Sequence, residues 1–467
     1  MSVTTETMEV LEPATEQVLA ELPRAGVEEA DAAITRAKEA FPAWKTVAPA
    51  DRAKLLRRLA SAIEESAEEL ARLETRNVGK PIGDARGEVG MVVDVFNYYA
   101  GAPERLLGDT IPVADDLLVY TLREPYGVTG HIVPWNYPLQ IGARTVAPAL
   151  AAGNCCVLKP AEEAPLTTLR LGELVLEAGF PAGALNVVPG YGEEAGAALA
   201  GHPGIDHLAF TGSVEVGRSV AKAAGENTVP VTLELGGKSP NVVLADADLD
   251  AAAPTIVNSI IQNAGQTCSA GSRLLVEASV HDALVEGVAD RFRAIKIGPG
   301  PEDPDLGPLI SAQQRDGVQL HVEQGKSEAR LVVGGDVARG DHLDGGFFYL
   351  PTLFDEVPRD AKIAQDEIFG PVLAVTPFRD LEHAVELANA TRYGLIAAVW
   401  TSDLRTAHHL AREIRAGQVY INTYGAGGGV ELPFGGVKHS GYGREKGFEA
   451  LIAYTRTKTV AVKVAGA

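Results

Sequence analysis

The chain has 467 residues, of which 46% are hydrophobic and 22% are charged. These proportions are typical of globular domains and exclude fibrous repeats and long disordered tracts, while the length suggests about three structural units. The formal net charge is −21, and no basic patch interrupts it. Binding to the phosphate backbone of nucleic acids is therefore not expected.

The cysteines and the N-terminus predict a cytoplasmic location. Three cysteines, two of them adjacent, cannot form a disulfide framework, so a reducing compartment is expected. The first residues are acidic, whereas a secretory signal begins with basic residues and continues with an apolar run. The longest uncharged stretch, residues 125–143, contains three prolines, which a membrane-spanning helix accommodates poorly. No membrane segment is expected.

The first periodic pattern along the chain lies in residues 17–75, where Ala/Leu-rich stretches alternate with charges. It predicts amphipathic helices. Residues 109–125 and the tail from residue 455 instead resemble exposed strands, and unpaired strand edges favour pairing with another subunit.

From residue 127, short β-rich runs alternate with helix-like stretches. Such alternation predicts parallel strands with crossover helices, arranged as a doubly wound sheet that binds ligands at the carboxyl ends of its strands. The predicted strands are VTGHIV, NCCVLK, ALNVVPG, DHLAFTG and VPVTLELGG.

A second alternating series begins near residue 241 and predicts another α/β domain. Its candidate strands are NVVLAD, RLLVEA, PVLAVTPF, LIAAVWT and QVYINTY, and its helical periods cover 248–263, 280–295, 380–391 and 403–414. The glycine run at 425–429 predicts a mobile or tightly turned loop.

Cys268 is the candidate nucleophile. A lone cysteine is more often a small buried hydrophobe, but the string NAGQTCSAGSR surrounds this one with small residues that leave space for a substrate. Nearby backbone N–H groups are expected to favour the reactive thiolate. Cys155 and Cys156 lie in the apolar run NCCVL and are predicted to be core residues.

Glu234 and Asn136 are the other candidates for chemistry. Glu234 ends an apolar strand just before two glycines, where burial would raise its pKa and suit a general base, although a buried salt bridge is an equal alternative. Asn136 lies between the prolines of PWNYP. Its amide can stabilise an oxyanion, or it can simply form a turn.

The signal for a dinucleotide is weaker, because the chain lacks the G-x-G-x-x-G fingerprint after a strand. In FTGSVEVG, Gly212 and Gly217 flank a helix start whose free N–H groups can meet a pyrophosphate. Lys159 and Glu162 of LKPAE follow another strand, from which they can reach ribose hydroxyls or form an ordinary exposed ion pair.

Seven strings together resemble the aldehyde dehydrogenase superfamily in its hydrolytic, NAD(P)-dependent form. They are, in chain order, PWNYP, LKPAE, FTGS, LELGGKSP, GQTCSAGSR, EIFGPVL and PFGGVKHSGYGRE. The resemblance covers residues 12–460 and implies an α/β fold with two doubly wound domains and a small β extension. A Rossmann-like cofactor domain would comprise 1–108 and 126–236, the catalytic thiol domain 237–437, and the oligomerisation extension 109–125 and 438–467.

The resemblance also implies roles for individual residues and no metal. Cys268 would be the nucleophile, Glu234 the general base and Asn136 the oxyanion donor, while Glu445 would relay a proton or be structural. The acid Glu162 would favour NAD over NADP, because a carboxylate repels a 2′-phosphate. The implied cofactor contacts are Val133, Pro134, Trp135, Lys159, Ala161, Glu162, Gly192, Phe210, Gly212, Ser213, Gly217, Leu235, Glu367 and Phe369.

These roles imply oxidation of an aldehyde through a cysteine thiohemiacetal and a thioester, which water hydrolyses to the carboxylic acid. Two alternatives are a semialdehyde dehydrogenase that passes the acyl group to CoA, which Glu234 argues against, and a non-catalytic binding protein on the same fold. The chain is expected to act on a small-molecule aldehyde as a homodimer or homotetramer. A strand before Pro13 is expected to be absent.

Substrate contacts are predicted for Tyr137, Arg144 and Phe434. Arg144 follows Asn136 by eight residues, a place where succinate-semialdehyde dehydrogenases carry an arginine, so a carboxylate-bearing aldehyde is one possibility. A second arginine of those enzymes is replaced here by Gln262, and a structural salt bridge of Arg144 is an equal alternative. The glycines at 425–429 would instead widen the mouth for aromatic or extended aldehydes.

Overall fold

The computed structural model describes residues 6–425 and 429–464. Of the predicted glycine loop, residues 426–428 therefore lie outside the described residues. Within the described part of the chain, no helix is both long and apolar enough to cross a membrane.

An antiparallel hairpin opens the fold, so the expectation that no strand precedes Pro13 is wrong. Its strands are β1 (Thr7–Glu12) and β2 (Gln17–Pro23). The alternation of buried Met8 and Val10 with exposed neighbours in β1 is the two-residue period of a half-buried strand. The start of the predicted helical region, residues 17–23, is likewise strand.

Four long helices and a second β-ribbon follow. The amphipathic pattern predicted to residue 75 continues to residue 100, because α4 buries Val92, Phe96 and Tyr99 on one face at helical spacing. The elements are α1 (Val27–Trp44), α2 (Pro49–Glu65), α3 (Ala67–Val78), α4 (Ile82–Ala100), β3 (Thr110–Ala114) and β4 (Leu117–Pro125).

A parallel sheet with crossover helices occupies the next segment, as the alternating pattern predicts. Every residue of β5 and β6 is buried, which explains why these strands are almost uniformly apolar in sequence. The elements are β5 (Val128–Val133), α5 (Pro138–Ala152), β6 (Cys155–Pro160), α6 (Leu166–Glu177), β7 (Leu185–Val187), α7 (Ala197–Gly201), β8 (His207–Thr211), α8 (Val214–Glu226) and β9 (Val231–Glu234). Cys155 and Cys156 are core residues, as predicted.

The following segment builds a second, seven-stranded sheet. All predicted strands and helices of this series are present, but α11, β12, β13 and α12 were not predicted. The elements are β10 (Pro240–Val243), α9 (Leu249–Ile261), β11 (Arg273–Glu277), α10 (His281–Ala294), α11 (Ala312–Glu328), β12 (Arg330–Val333), β13 (Thr352–Asp355), α12 (Lys362–Gln365), β14 (Val372–Phe378), α13 (Leu381–Asn389), β15 (Ile396–Trp400), α14 (Leu404–Glu413) and β16 (Gln418–Ile421).

The C-terminal segment joins two different sheets. Strand β17 (Gly441–Tyr442) pairs antiparallel with β9, then α15 (Gly447–Ala453) leads to β18 (Thr455–Lys463), which pairs with β4. The resulting ribbon has the order β18-β4-β3. Both predicted exposed strand regions therefore lie in one small sheet.

The strand orders locate the places where ligands bind. The first sheet has the order β17-β9-β8-β5-β6-β7, so its topology switches direction between β5 and β8, and a crevice forms outside their carboxyl ends. In the second sheet, two successive residues of one strand, Val242 and Val243, point to opposite faces and enter different hydrophobic clusters, so both faces of this sheet are covered. The domain limits inferred from the sequence stay a prediction.

Candidate active site

Cys268, Glu234 and Asn136 line the same cavity of about 270 Å³. The cavity opens at the switch point of the first sheet, where Asn136 follows β5, Thr211 ends β8 and Glu234 ends β9. Cys268 enters from the loop between α9 and β11. The other lining residues are Pro134, Trp135, Thr211, Gly212, Ser213, Gly236, Gln314, Glu367 and Phe369.

Hydrogen bonds on both sides hold Asn136 in place. Its side-chain Nδ2 donates to the backbone carbonyl oxygen of Gln266 at 2.9 Å. Its backbone carbonyl oxygen accepts hydrogen bonds from Lys80 at 3.1 Å and from Asn263 at 2.9 Å. Gln266 lies two residues before Cys268, so the amide and the thiol are fixed relative to each other. The second Nδ2 hydrogen remains for an oxyanion.

Lys80 lies in a buried ionic cluster beneath this turn. Its ammonium group contacts Glu74 at 3.1 Å and Glu88 at 2.7 Å, and lies 4.4 Å from the centre of the Tyr137 ring. Burial raises the pKa of Glu88 to about 8 despite the adjacent lysine. The turn is thus attached to α3 and α4 through a cation that is fully removed from water.

The backbone before the thiol is strained. Asn263 and Ala264 have φ of 48° and 55°, which costs non-glycine residues free energy and is tolerated where the surroundings enforce it. Gly265 follows, and a Cβ there would lie 2.2 Å from the carbonyl oxygen of Gly370. The small residue is needed because two loops approach closely at this point, rather than only to leave space for a substrate.

Cys268 is half-buried, and the prediction that its surroundings favour the thiolate is wrong for the protein without ligands. Burial raises the pKa of this thiol to about 12. Arg144 acts in the opposite direction, but Glu367, Glu234 and Glu445 add to the increase. The resting sulfur is therefore a protonated thiol at neutral pH.

Glu234 is 1% exposed, and neither carboxyl oxygen has a hydrogen-bond partner among the residues that the structure describes. Burial raises its pKa well above the usual range, the nearby Glu445 adds to this, and Arg144 and Arg444 oppose it. A buried carboxyl group that faces a cavity and has a raised pKa can accept a proton from water, as a general base must.

Glu445 and Arg144 form an ion pair behind these groups. The Nε of Arg144 donates to Glu445, and Thr211 donates to the other carboxyl oxygen at 3.3 Å. The guanidinium also lies 4.8 Å from the centre of the Phe434 ring. Two roles were predicted for Arg144, a structural salt bridge and a substrate contact. It makes a buried salt bridge, as the first role requires, and it also lines a cavity beside Cys268, as the second requires.

Trp135, Phe369 and Glu367 form one end of the large cavity. The two rings meet edge to face with centres 5.3 Å apart. Glu367 accepts a hydrogen bond from the backbone N–H of Gly237 at 2.9 Å, and burial raises its pKa to about 7. An aromatic slot beside a carboxylate can receive a flat ring and the hydroxyls of a sugar.

The other end of the cavity is suited to phosphate. Ser213 caps helix α8, its Oγ accepting from the backbone N–H of Val216 at 3.3 Å, and the preceding Gly212 lines the cavity. Helix N-termini attract anions through their free N–H groups. Gly217 lets α8 approach β9, because a Cβ there would meet Leu235 at 2.5 Å.

The remaining predicted cofactor residues lie around the ends of the first sheet. Lys159 is 3% exposed and pairs with Glu162 at 2.8 Å, so this ion pair is more buried than the exposed pair considered from the sequence. Val133 ends β5, Phe210 lies in β8, Ala161 follows β6, and Gly192 begins a helical turn after β7. None of these six residues lines the large cavity itself.

Comparison with known proteins agrees with this geometry. The family model of the aldehyde dehydrogenase family matches residues 1–460. The chain belongs to the aldehyde dehydrogenase family. Among its relatives, the hydroxyisobutyraldehyde dehydrogenase of Mycolicibacterium austroafricanum is 44% identical over 459 residues, which are 98% of this chain and 91% of the relative.

Solved aldehyde dehydrogenase structures have the same fold. PnpE in complex with nicotinamide adenine dinucleotide is 41% identical with a TM-score of 0.98, and the alignment covers 100% of this chain and 96% of PnpE. Betaine aldehyde dehydrogenase from Staphylococcus aureus in complex with NAD+ is 37% identical with a TM-score of 0.97, with coverage of 100% and 93%.

A second cavity of this aldehyde dehydrogenase lies on the other side of the sulfur. It measures about 50 Å³ and continues into an outer cavity of about 350 Å³, with which it shares Met91, Gln140 and Arg144. The inner lining comprises Glu88, Met91, Tyr137, Gln140, Ile141, Arg144, Gln262, Thr267, Cys268, Ser269 and Phe434. All three predicted substrate residues are among them.

Sequence reasoning missed several lining residues. Gln314 reaches the large cavity from α11 and donates to the carbonyl oxygen of Phe369 at 2.7 Å, but no local pattern distinguishes it from other polar helix residues. Met91 lies on α4, and nothing in the periodic pattern of that helix distinguishes it from its neighbours. Thr211 and Gly236 lie in FTGS and LELGGKSP, two of the strings that resemble the family, but the sequence predicts no role for either residue.

The raised pKa of Cys268 predicts how alkylation depends on pH. Because only the thiolate reacts and the pKa is about 12, the iodoacetamide rate should rise about tenfold per pH unit from about pH 7 to 9.5. Mass spectrometry of the tryptic peptide measures it, with Cys268→Ser as the control for labelling at the buried cysteines. A plateau below about pH 9 would contradict the assigned burial effect.

Proposed function

We propose that the protein oxidises an aldehyde to the carboxylic acid, with Cys268 as nucleophile, Glu234 as general base, Asn136 as oxyanion donor and NAD as hydride acceptor. The observation that carries the proposal is that Cys268 lines two cavities. The larger one is suited to a dinucleotide and the smaller one to a compact aldehyde. A reaction that needs both ligands at one sulfur fits this arrangement.

The large cavity has the features that a dinucleotide requires. Gly212 and Ser213 present the start of α8 to phosphate, Trp135 and Phe369 form the aromatic end, and Glu367 supplies a carboxylate. Two similar structures contain this dinucleotide, which supports the proposal. When bound, NAD accepts hydride from the carbon attached to sulfur. Glu162 beside Lys159 favours a ribose hydroxyl over a 2′-phosphate, and hence NAD over NADP.

Cys268 begins the reaction by losing its proton to the water of the cleft. The sulfur then bonds to the carbonyl carbon, and the carbonyl oxygen becomes an oxyanion. The Nδ2 group of Asn136 donates to that oxygen and lowers the energy of the charged state by about 3 to 4 kcal/mol. Oxidation of this thiohemiacetal leaves the acyl group on Cys268 as a thioester.

Glu234 completes the cycle. Its ionised carboxyl group takes a proton from water, and the water oxygen bonds to the thioester carbon. The carbon–sulfur bond then breaks and the carboxylic acid leaves, while the proton held by Glu234 passes to the sulfur, which restores the thiol and the ionised carboxyl group. Among the residues that the structure describes, no hydrogen-bond partner holds the carboxyl group of Glu234, which supports this role because no such bond has to break before the carboxyl group meets water.

We further propose that the protein is a cytoplasmic homodimer or homotetramer. All three cysteines are free, and the sulfur chemistry requires a reduced thiol. In the ribbon β18-β4-β3, Leu118 faces Val462, and both are exposed with Leu122 on the same face. An exposed apolar sheet with open edges is suited to pairing with a second copy.

The first test of the function uses Cys268→Ser. This variant should bind NAD with unchanged affinity but form almost no NADH, because the hydroxyl is a far weaker nucleophile. Absorbance of the reduced nicotinamide is measured with succinate semialdehyde, benzaldehyde, betaine aldehyde and hexanal, each with and without CoA. Turnover near that of the parent would remove Cys268 from its role, and strict CoA dependence would favour acyl transfer to CoA over hydrolysis.

Glu234→Gln separates the two halves of the reaction. It should give a single burst of NADH close to one equivalent per site, followed by steady turnover lower by about 10² to 10⁴, because the thioester no longer meets an activated water. Stopped-flow absorbance records both phases. Glu226→Gln, an exposed residue at the end of α8, is the control, and undiminished steady turnover of Glu234→Gln would show that another base serves.

Charge on the ribbon should prevent assembly. The double variant Leu118→Lys with Leu122→Lys places two like charges on the apolar face, and we expect light scattering after gel filtration to report the monomer mass. Leu176→Lys is the control, since that leucine is equally exposed but lies on α6. An unchanged mass for the double variant would exclude this face as the interface.

A further inference from the structure

Arg144 joins the elements that carry the reacting groups. It lies on α5, the helix that begins just after Asn136, and its Nε donates to Glu445 from the segment after Phe434. Glu445 is in turn fixed by two backbone hydrogen bonds with Phe434, of 2.6 and 2.8 Å. The ring of Phe434 lies below the guanidinium. The side chain is therefore held on two sides and is only 7% exposed.

The charges around this pair are mostly negative. Glu445 and Glu234 face Arg144, Cys268 lies within its electrostatic reach, and the phenols of Tyr99 and Tyr454 lie near Glu445. Two further cations lie nearby: Arg444, which acts on Glu234, and Lys446, whose pKa burial lowers to about 8. Arg144 acts on both Cys268 and Glu234.

This geometry is poorly suited to a substrate carboxylate. An arginine recognises a carboxylate best with two parallel N–H groups. Glu445 already engages the Nε of Arg144, so a carboxylate would have to bind at the end of the guanidinium, where the buried Nη2 has no hydrogen-bond partner among the described residues. An incoming carboxylate would also have to lie beside Glu445. Repulsion between the two carboxylates would offset the attraction to one guanidinium.

We propose that Arg144 is a positioning residue for the hydrolytic half of the reaction: it holds Glu445 next to Glu234 and does not anchor the substrate. The inference rests on the proposed function. Glu445 is ordered by Arg144 and Thr211, so loss of the guanidinium would leave its carboxylate buried without a counterion. Glu234 would then face an uncompensated negative charge and would ionise less readily.

The test is a double-mutant cycle of Arg144→Gln, Glu445→Gln and the two together, with Arg144→Lys as the conservative variant. We expect kcat of Arg144→Gln to fall about 10²-fold, equally for succinate semialdehyde and hexanal, with KM for both unchanged and the NADH burst retained. The acid limb of the kcat profile should move to higher pH, because a base with a raised pKa ionises only at higher pH. Arg144→Lys should recover part of kcat.

The double variant keeps the test independent of folding, since it leaves no unpaired charge at this position. Its kcat should lie within a few-fold of that of Glu445→Gln, because the main effect of Arg144 passes through Glu445 and only its direct attraction to Glu234 is lost in addition. A further fall of about tenfold or more in the double variant, or a KM increase confined to succinate semialdehyde, would overturn the inference. Parent enzyme that forms no NADH with any aldehyde would instead refute the proposed function itself. Arg52→Gln, which removes a buried arginine that binds backbone carbonyls on α5 and after α1, controls for general destabilisation.

Discussion

The close approach of three chain segments at Gly236 and Gly237 is the constraint on which the site depends. A Cβ on Gly236 would lie 2.0 Å from a carboxyl oxygen of Glu367, and one on Gly237 would lie 2.2 Å from the carbonyl oxygen of Cys268. The same junction accepts a hydrogen bond from Ser440 at 2.7 Å and donates one to Glu367 at 2.9 Å. Because the junction begins two residues after Glu234, one short stretch of backbone between the two sheets positions Glu234, Cys268 and Glu367 relative to one another.

Burial is the second organising factor, and it sets the resting protonation states. The pKa values of Cys268, Glu234 and Glu367 are all raised chiefly by removal from water. Together these groups would place several negative charges in a small volume if they were ionised at once, which is unfavourable at low dielectric. The raised pKa values favour the neutral forms of these groups, and Arg144 compensates the charge of Glu445, so the fold can hold four acidic groups together.

Much of this arrangement could be predicted from the sequence, because the strands of the two α/β series are short apolar runs that end in distinctive polar strings. The positions of Glu234, Asn136 and Cys268 were found in this way. The protonation state of Cys268 was not, because it depends on burial and on carboxylates distant in sequence. Gln314 and the pairing of Arg144 with Glu445 were equally inaccessible, since 301 residues separate the latter two. Strand β1 was missed for a different reason, because Glu9 and Glu12 are interspersed with its apolar residues and make it resemble the rest of the acidic N-terminal segment.

The two sheets contribute opposite ends of their strands to the site. Asn136, Thr211 and Glu234 come from the carboxyl ends of strands in the first sheet, as expected at a switch point. Cys268 and Glu367 instead precede β11 and β14, so they lie at the amino ends of the second sheet. This follows from the direct run of β9 into β10, because a chain that leaves one sheet at a carboxyl end enters the next at an amino end. Cys268, the proposed nucleophile, is therefore presented by a loop across the cleft from Asn136 and Glu234, and a second cavity beside the sulfur is available to the aldehyde in the proposed reaction.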